Sequence, residues 1–154
     1  MQEDRLVAKE FMSTHPLGVV SISRGQEAPY AASMFIISDE QLNLFFITKS
    51  DTEKYRLLQD NGNVAITITD FESQETIQAE GIAEEVMAEG GVLEEVFKKL
   101  SSMKPPGNSK WLPPIVKLHA GEFVIFQIEV RKMRYANFTD TLKNSASDVF
   151  KQII

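Results

Sequence analysis

Apolar residues recur at two different spacings along this chain, and the switches between them mark its elements. Over residues 3–13, Leu6, Val7 and Phe11 fall on one side with charges between them, which predicts a short helix. His15-Pro16 stops it, because the residue before a proline disfavours helical backbone angles. Three strands follow. Residues 17–23 carry the β-branched Val19, Val20 and Ile22. Residues 29–38 end in Met34-Phe35-Ile36-Ile37, and residues 42–48 contain Leu44-Phe45-Phe46-Ile47. Arg24-Gly25-Gln26-Glu27 and Asp39-Glu40-Gln41 are the turns between them, so the three strands are expected to form an antiparallel meander.

The spacing then changes. Ser50-Asp51-Thr52-Glu53 matches a capping box, a hydroxyl followed three residues later by glutamate, and predicts a short helix through Tyr55, Leu57 and Leu58 to Asn61-Gly62. Residues 63–70 alternate, with Val64, Ile66 and Ile68 on one face and Ala65, Thr67 and Thr69 on the other. Residues 76–87 read as a long strand bulged at Gly81. Val92, Leu93, Val96, Phe97 and Leu100 recur at helical spacing within residues 90–103, and Pro105-Pro106-Gly107 ends that helix. A loop over residues 104–120 holds Trp111, residues 121–136 form the last long strand, and residues 140–154 are expected to be a terminal helix. The order predicts an α+β fold, a mostly antiparallel sheet with helices at its connections.

A length of 154 residues suits one domain over 1–154, with its core at about 17–136. The absence of cysteine removes disulfides, thiolate metal sites and a thiol nucleophile. The acidic start Met1-Gln2-Glu3-Asp4-Arg5 is unlike a secretory leader, and no apolar run approaches the roughly 20 residues that span a bilayer. The chain is therefore read as soluble and cytoplasmic, without a membrane partner. A formal net charge of −6 opposes nucleic-acid binding, and Arg131-Lys132-Met133-Arg134 reads as a solvated strand edge. The two histidines, His15 and His119, have no metal-binding spacing, so no metal site and no catalytic residue is assigned.

One stretch concentrates anion-binding chemistry. Thr48-Lys49-Ser50-Asp51-Thr52-Glu53-Lys54 sits where a strand ends and a helix begins, where unpaired N–H groups attract anions. Hydroxyls and ammonium groups together suit a phosphate monoester. On these residues alone the plainer reading is a capping box with exposed lysines, strengthened by Asp51 and Glu53, which repel phosphate.

The layout from Leu17 to Tyr135 resembles the pyridoxamine 5′-phosphate oxidase-like family of FMN-binding split barrels, including its general-stress-protein branch. The resemblance is carried by the following segments in order: Leu17-Gly18-Val19-Val20-Ser21-Ile22, Pro29, Met34-Phe35, Leu44-Phe45-Phe46-Ile47-Thr48, Lys54, Asn61, Val64-Ala65-Ile66 and the strand Gln78-Ala79-Glu80-Gly81-Ile82-Ala83-Glu84-Glu85-Val86. It implies a six-stranded split β-barrel with peripheral helices, a homodimer, and an FMN site built from both chains. Ser33, Met34 and Phe35 would run along the flavin ring. Ile47 and Thr48 would support the ring and ribityl chain. Ser50, Thr52 and Lys54 would hold the phosphate, with Lys49 nearby. Thr76 falls where the oxidases carry a glutamine to the flavin, and Trp111 would reach the site from the partner chain.

Three departures bear on activity. Ala31, Ile36 and Glu53 stand where the oxidases carry cationic side chains, and no segment after Trp111 matches the one that binds pyridoxal phosphate. The resemblance therefore implies an FMN-dependent oxidoreductase acting on NAD(P)H or a small organic substrate rather than on pyridoxamine phosphate. The alternative is a non-catalytic binding or stress protein of the same fold, holding haem, a deazaflavin or no cofactor.

Overall fold

A computed structural model of the chain describes residues 2–87, 91–108, 110–112, 114–117, 119, 121–139 and 149–154. Helix α1 (Gln2–Thr14) buries Ala8, Phe11 and Met12 on one face, and its end is closed by the His15 N–H donating to the Phe11 carbonyl at 2.9 Å. Strands β1 (Leu17–Ile22) and β2 (Tyr30–Phe35) form a hairpin whose turn uses Gly25 at φ 67. There follow β3 (Ile37–Ser38), β4 (Leu44–Lys49), α2 (Glu53–Asp60), β5 (Asn63–Asp70), β6 (Glu75–Val86), α3 (Val92–Ser102), a 3₁₀ turn (Pro114–Lys117), β7 (Phe123–Asn137) and β8 (Lys151–Gln152). Among the described residues no helix is long and apolar enough to cross a membrane.

The sheet runs β2-β1-β5-β6-β7-β4-β3, every pairing antiparallel, with β8 added to β7. Its first and last members, β2 and β3, are halves of one run separated by Ile36. The two ends of the sheet are thus joined through a single residue, which curls it into a split barrel. The expected antiparallel pairing of the three runs is present, but the middle one is not a continuous strand. The run 29–38 breaks at Ile36, whose N–H leaves both ladders to donate to the Pro16 carbonyl at 2.7 Å. Beyond it the run meets β4 only at Ile37↔Phe45 and Ser38↔Leu44, while β4 pairs along its whole length with β7. The six expected strand runs are present, the second in two pieces, and β8 is additional.

The terminal helix expected over residues 140–154 is corrected at its end, for residue 149 is helical and residues 151–152 are a strand. Residues 140–148 lie outside the described residues. Lys151 and Gln152 pair with Tyr135 and Arg134, and the Ile153 N–H donates to the Met133 carbonyl at 2.8 Å. The physical reason lies in β7. Its pairing with β4 stops at Leu44↔Ile128, so the rest of that edge has backbone groups in need of partners.

Two apolar clusters hold the fold. The barrel interior contains Val20, Leu44, Phe46, Ile66, Phe126 and Met133, with Phe11 and Met12 of α1 closing one end. Phe46 and Phe126 stack at 5.4 Å between ring centroids. A smaller cluster lies outside the barrel, where Val96 and Leu100 of α3 cover Ile47 and Ile125. β4 is therefore buried on both faces, which accounts for its unbroken apolar run. The bulge between Glu80 and Gly81 brings backbones close enough that a Cβ on Gly81 would stand 2.3 Å from the Glu129 carbonyl oxygen. Gly81→Ala is expected to lower unfolding free energy by about 1–3 kcal/mol in urea denaturation. An unchanged midpoint would show that the strands can separate there without cost.

Candidate functional site

A cavity of about 390 Å³ opens beside the end of β2. Ser33, Met34 and Phe35 of β2 form one wall with Leu17 of β1, and Ile47 of β4 and Lys54 of α2 form the floor. Leu100 of α3 and Pro114 and Ile115 of the 3₁₀ turn roof it. Its size falls within the range of small-molecule and cofactor sites. Five of the residues expected at a flavin site, Ser33, Met34, Phe35, Ile47 and Lys54, thus line one space.

Lys54 gives this space its charge. Its side chain is half-buried and has no hydrogen-bond or ion-pair partner among the described residues. Burial pushes its amine below the ordinary lysine value. The start of α2 fixes its position. Thr52 caps the helix, its Oγ1 accepting from the Tyr55 N–H at 3.3 Å and donating to the Lys49 carbonyl at 2.8 Å. The hydroxyl of Thr48, fully buried, lies 3.3 Å from that of Thr52. The cap is therefore Thr52 and not Ser50, which corrects the expected capping box.

Ser50 serves a different contact. Its Oγ accepts from the Glu122 N–H and its own N–H donates to the Glu122 carbonyl, both at 2.9 Å. Gly121, at φ 71, permits this, since a Cβ there would come within 2.7 Å of the Ser50 Oγ. Lys49 is buried in the same corner. Its amine lies 3.7 Å from the centroid of the Phe123 ring and donates to the Gly121 carbonyl at 3.4 Å. Residues 49–51 thus anchor the entry to β7, and neither Lys49 nor Ser50 lines the cavity.

Two further expected residues lie apart. Thr76 is buried on β6, its hydroxyl donating to the Ile68 carbonyl at 3.2 Å and lying 2.9 Å from that of Thr69. Trp111 meets Phe35 of its own chain edge-on, at 5.7 Å between centroids, and does not itself line the cavity. The side chains of Leu100 and Ile115 were not foreseen as cavity residues, because helical spacing shows a buried face but not what it covers. The Arg24 guanidinium donates to the Glu53 carboxylate, so the acid expected to repel phosphate is already paired.

Other features carry less chemistry. A larger space of about 530 Å³ lies between α1 and the end of α3, but its Lys9 is spent on Glu40 and its other lysines, Lys99 and Lys104, are exposed. His15 stacks on Phe11 at 4.5 Å and His119 is exposed; neither lines the Lys54 cavity. Among the described residues no group of three or more His, Cys, Asp or Glu is placed to hold a metal ion.

No family model matches the chain, and no curated protein matches it in sequence. Solved structures do match in shape. A candidate pyridoxamine 5′-phosphate oxidase from Listeria innocua aligns with TM-score 0.64 at 21% identity, over 88% of this chain and 98% of its own. General stress protein 26 from Bacillus anthracis str. Sterne aligns with TM-score 0.53 at 20% identity, over 83% and 92%. An FAD-binding protein from Mesorhizobium loti aligns with TM-score 0.63 at 14% identity, over 84% and 90%. At these identities the likeness is one of fold, and the chain has the split-barrel fold of the pyridoxamine 5′-phosphate oxidase-like proteins.

Proposed function

We propose that this chain binds flavin mononucleotide in the Lys54 cavity and acts, as a homodimer, as a flavin-dependent oxidoreductase on NAD(P)H or a small organic substrate. The observation that carries this reading is the Lys54 ammonium, half-buried and without a partner among the described residues, at one end of an otherwise largely apolar cavity. An unpaired cation in such a place lacks its counter-ion, and a phosphate monoester supplies one. The apolar remainder, with Met34, Phe35, Ile47 and Leu100, suits a flat aromatic ring. One solved structure of the same fold is an FAD-binding protein, which supports a flavin of some kind.

The chain's own groups divide the work. β2 ends the sheet order, so its backbone N–H and C=O groups on the side away from β1 have no strand partner among the described residues. Those near Ser33–Phe35 can hydrogen-bond the polar edge of a ring lying along β2. N–H groups aimed at such an edge stabilise the negative charge that reduction places on it. Lys54 holds the opposite end of the ligand, and α3 with the 3₁₀ turn limits the entry of water. A bound flavin supplies the two-electron chemistry itself.

A second copy is the natural cover for the open side. The outer face of β1, β2 and β5 presents Leu17 and Val19 among Ala31, Ser33, Ala65 and Thr67, all exposed and none charged. Leu17 and Ser33 belong both to this face and to the cavity wall, so a partner seated here would close the site.

Four outcomes are expected. Protein mixed with FMN and freed of excess ligand should be yellow, with flavin bands near one per chain; a colourless product overturns the flavin reading. Lys54→Ala should weaken FMN binding by about tenfold to hundredfold in a fluorescence titration. The unliganded protein should behave in the opposite sense. The folded chain holds the Lys54 proton less tightly than the unfolded chain, so wild-type stability should rise, relative to Lys54→Met, as pH climbs through the lowered folded value towards 10.5. Finally, light scattering should give twice the chain mass of 17.4 kDa, and Val19→Asp should return it to the monomer. A wild-type monomer would remove the dimer from the proposal.

A further inference from the structure

We propose that Ser50 is a positioning residue of the Lys54 cavity: it ties the roof to the floor from outside and sets how fast a flavin enters and leaves, without touching it. The inference rests on the flavin reading above and concerns access to that same site. Ser50 stands in the chain between Ile47 and Lys54, which floor the cavity, and does not itself line it. Two hydrogen bonds of 2.9 Å join it instead to Glu122, one donated by its own N–H and one accepted by its Oγ. The Lys49 amine, buried next to it, donates to the Gly121 carbonyl and lies over the Phe123 ring. Residues 49–50 and 121–123 thereby form a clasp that fixes the Phe123 ring.

Phe123 carries the clasp to the roof. Its ring meets that of Phe97 edge-on, at 4.9 Å between centroids and 84° between planes. Phe97 belongs to α3, and Leu100 lies one turn further along the same helix. Ile115 of the 3₁₀ turn packs in the same outer cluster as Phe97, Leu100 and Phe123. Leu100, Pro114 and Ile115 roof the cavity, so a roof that lifts must part Phe97 from Phe123 or draw Phe123 out of the clasp. With a second copy seated on the open side, the roof is the way in and out. Neither hydrogen bond of the clasp involves a residue that lines the cavity, so a ligand neither forms nor breaks them. The clasp therefore opposes opening equally with and without a ligand. It slows entry and exit by the same factor and leaves affinity alone. Losing one such bond raises the population of the opened roof by about twofold to tenfold.

The test follows FMN and riboflavin, the same ring without the phosphate, by stopped-flow fluorescence in wild type, Ser50→Ala, Phe97→Leu and the double variant. Ser50→Ala should raise the association and dissociation rate constants of both flavins by about twofold to tenfold, with both affinities within about twofold of wild type. Phe97→Leu should do the same, and the double variant should gain little over the faster single one, because both cut one link. Where riboflavin binds too weakly to follow, the split between FMN rates and FMN affinity decides. A loss of FMN affinity alone, with riboflavin unchanged, would put the Ser50 hydroxyl on the phosphate and overturn the proposal while the flavin reading stands. A loss of affinity for both flavins would make Ser50 a support of the fold only, and rates equal to wild type would remove it from the site; either result overturns the proposal. If wild type binds neither flavin, the flavin reading fails and the proposal falls with it. Should Ser50→Ala lose its fold, Phe97→Leu decides, and unchanged rates there overturn the link.

Discussion

The backbone turn at Ile36 is the constraint on which the rest of the structure depends. Its N–H bonds to the Pro16 carbonyl instead of to a neighbouring strand, so the run can leave β1 and continue against β4. The side chain is 2% exposed and fills the barrel interior, which fixes the turn by burial worth about 2 kcal/mol. Gly18 makes room for it, since a Cβ there would stand 3.3 Å from an Ile36 side-chain carbon and 2.9 Å from one of Ile68. Adjacent Ile36 and Ile37 are both buried, one inside the barrel and the other in the outer cluster. That reversal of sides is what joins the two ends of the sheet.

The cavity follows from the same turn. Because β2 ends the sheet at Phe35, its outer edge and face stay open next to the point where β4 delivers Ile47 and then the α2 helix. β4 is shielded on its outer side by α3, so the helix that stabilises the outer cluster is also the one that roofs the cavity through Leu100. Packing and site share residues here. A change in Leu100 would be felt in both, whereas Lys54 contributes to the site without contributing to the core.

Local signals made much of this legible. β5 shows strict alternation, and its buried residues are Val64, Ile66 and Ile68 as the pattern requires. The glycine inside the long strand β6 marked the bulge, because a strand tolerates a missing side chain where a backbone comes close. What stayed hidden depended on distant partners. Met34-Phe35-Ile36-Ile37 is apolar throughout, so it conceals the change of face at Ile36. The capping-box spacing points to Ser50, but Glu122 claims that residue from far along the chain and Thr52 caps the helix instead. The terminal strand is set by the unpaired edge of β7, which no helical spacing over residues 140–154 could reveal. At the site the strand and helix residues were readable, whereas the cover from α3 was not.

Counting charges along residues 48–54 gives two lysines against two acids, a neutral stretch with little claim on an anion. Burial changes that sum. Lys49 is spent on the Phe123 ring and the Gly121 carbonyl, and Glu53 is spent on Arg24. Asp51 is exposed, where water and salt screen it. Among the described residues Lys54 alone brings a charge to a largely apolar cavity, where a single charge counts for more than in water. The charge on the cavity lining among the described residues is therefore positive, although the chain as a whole carries −6. An acidic protein can present an anion site in this way without a basic patch, by leaving one cation half-buried and pairing or solvating the charges around it.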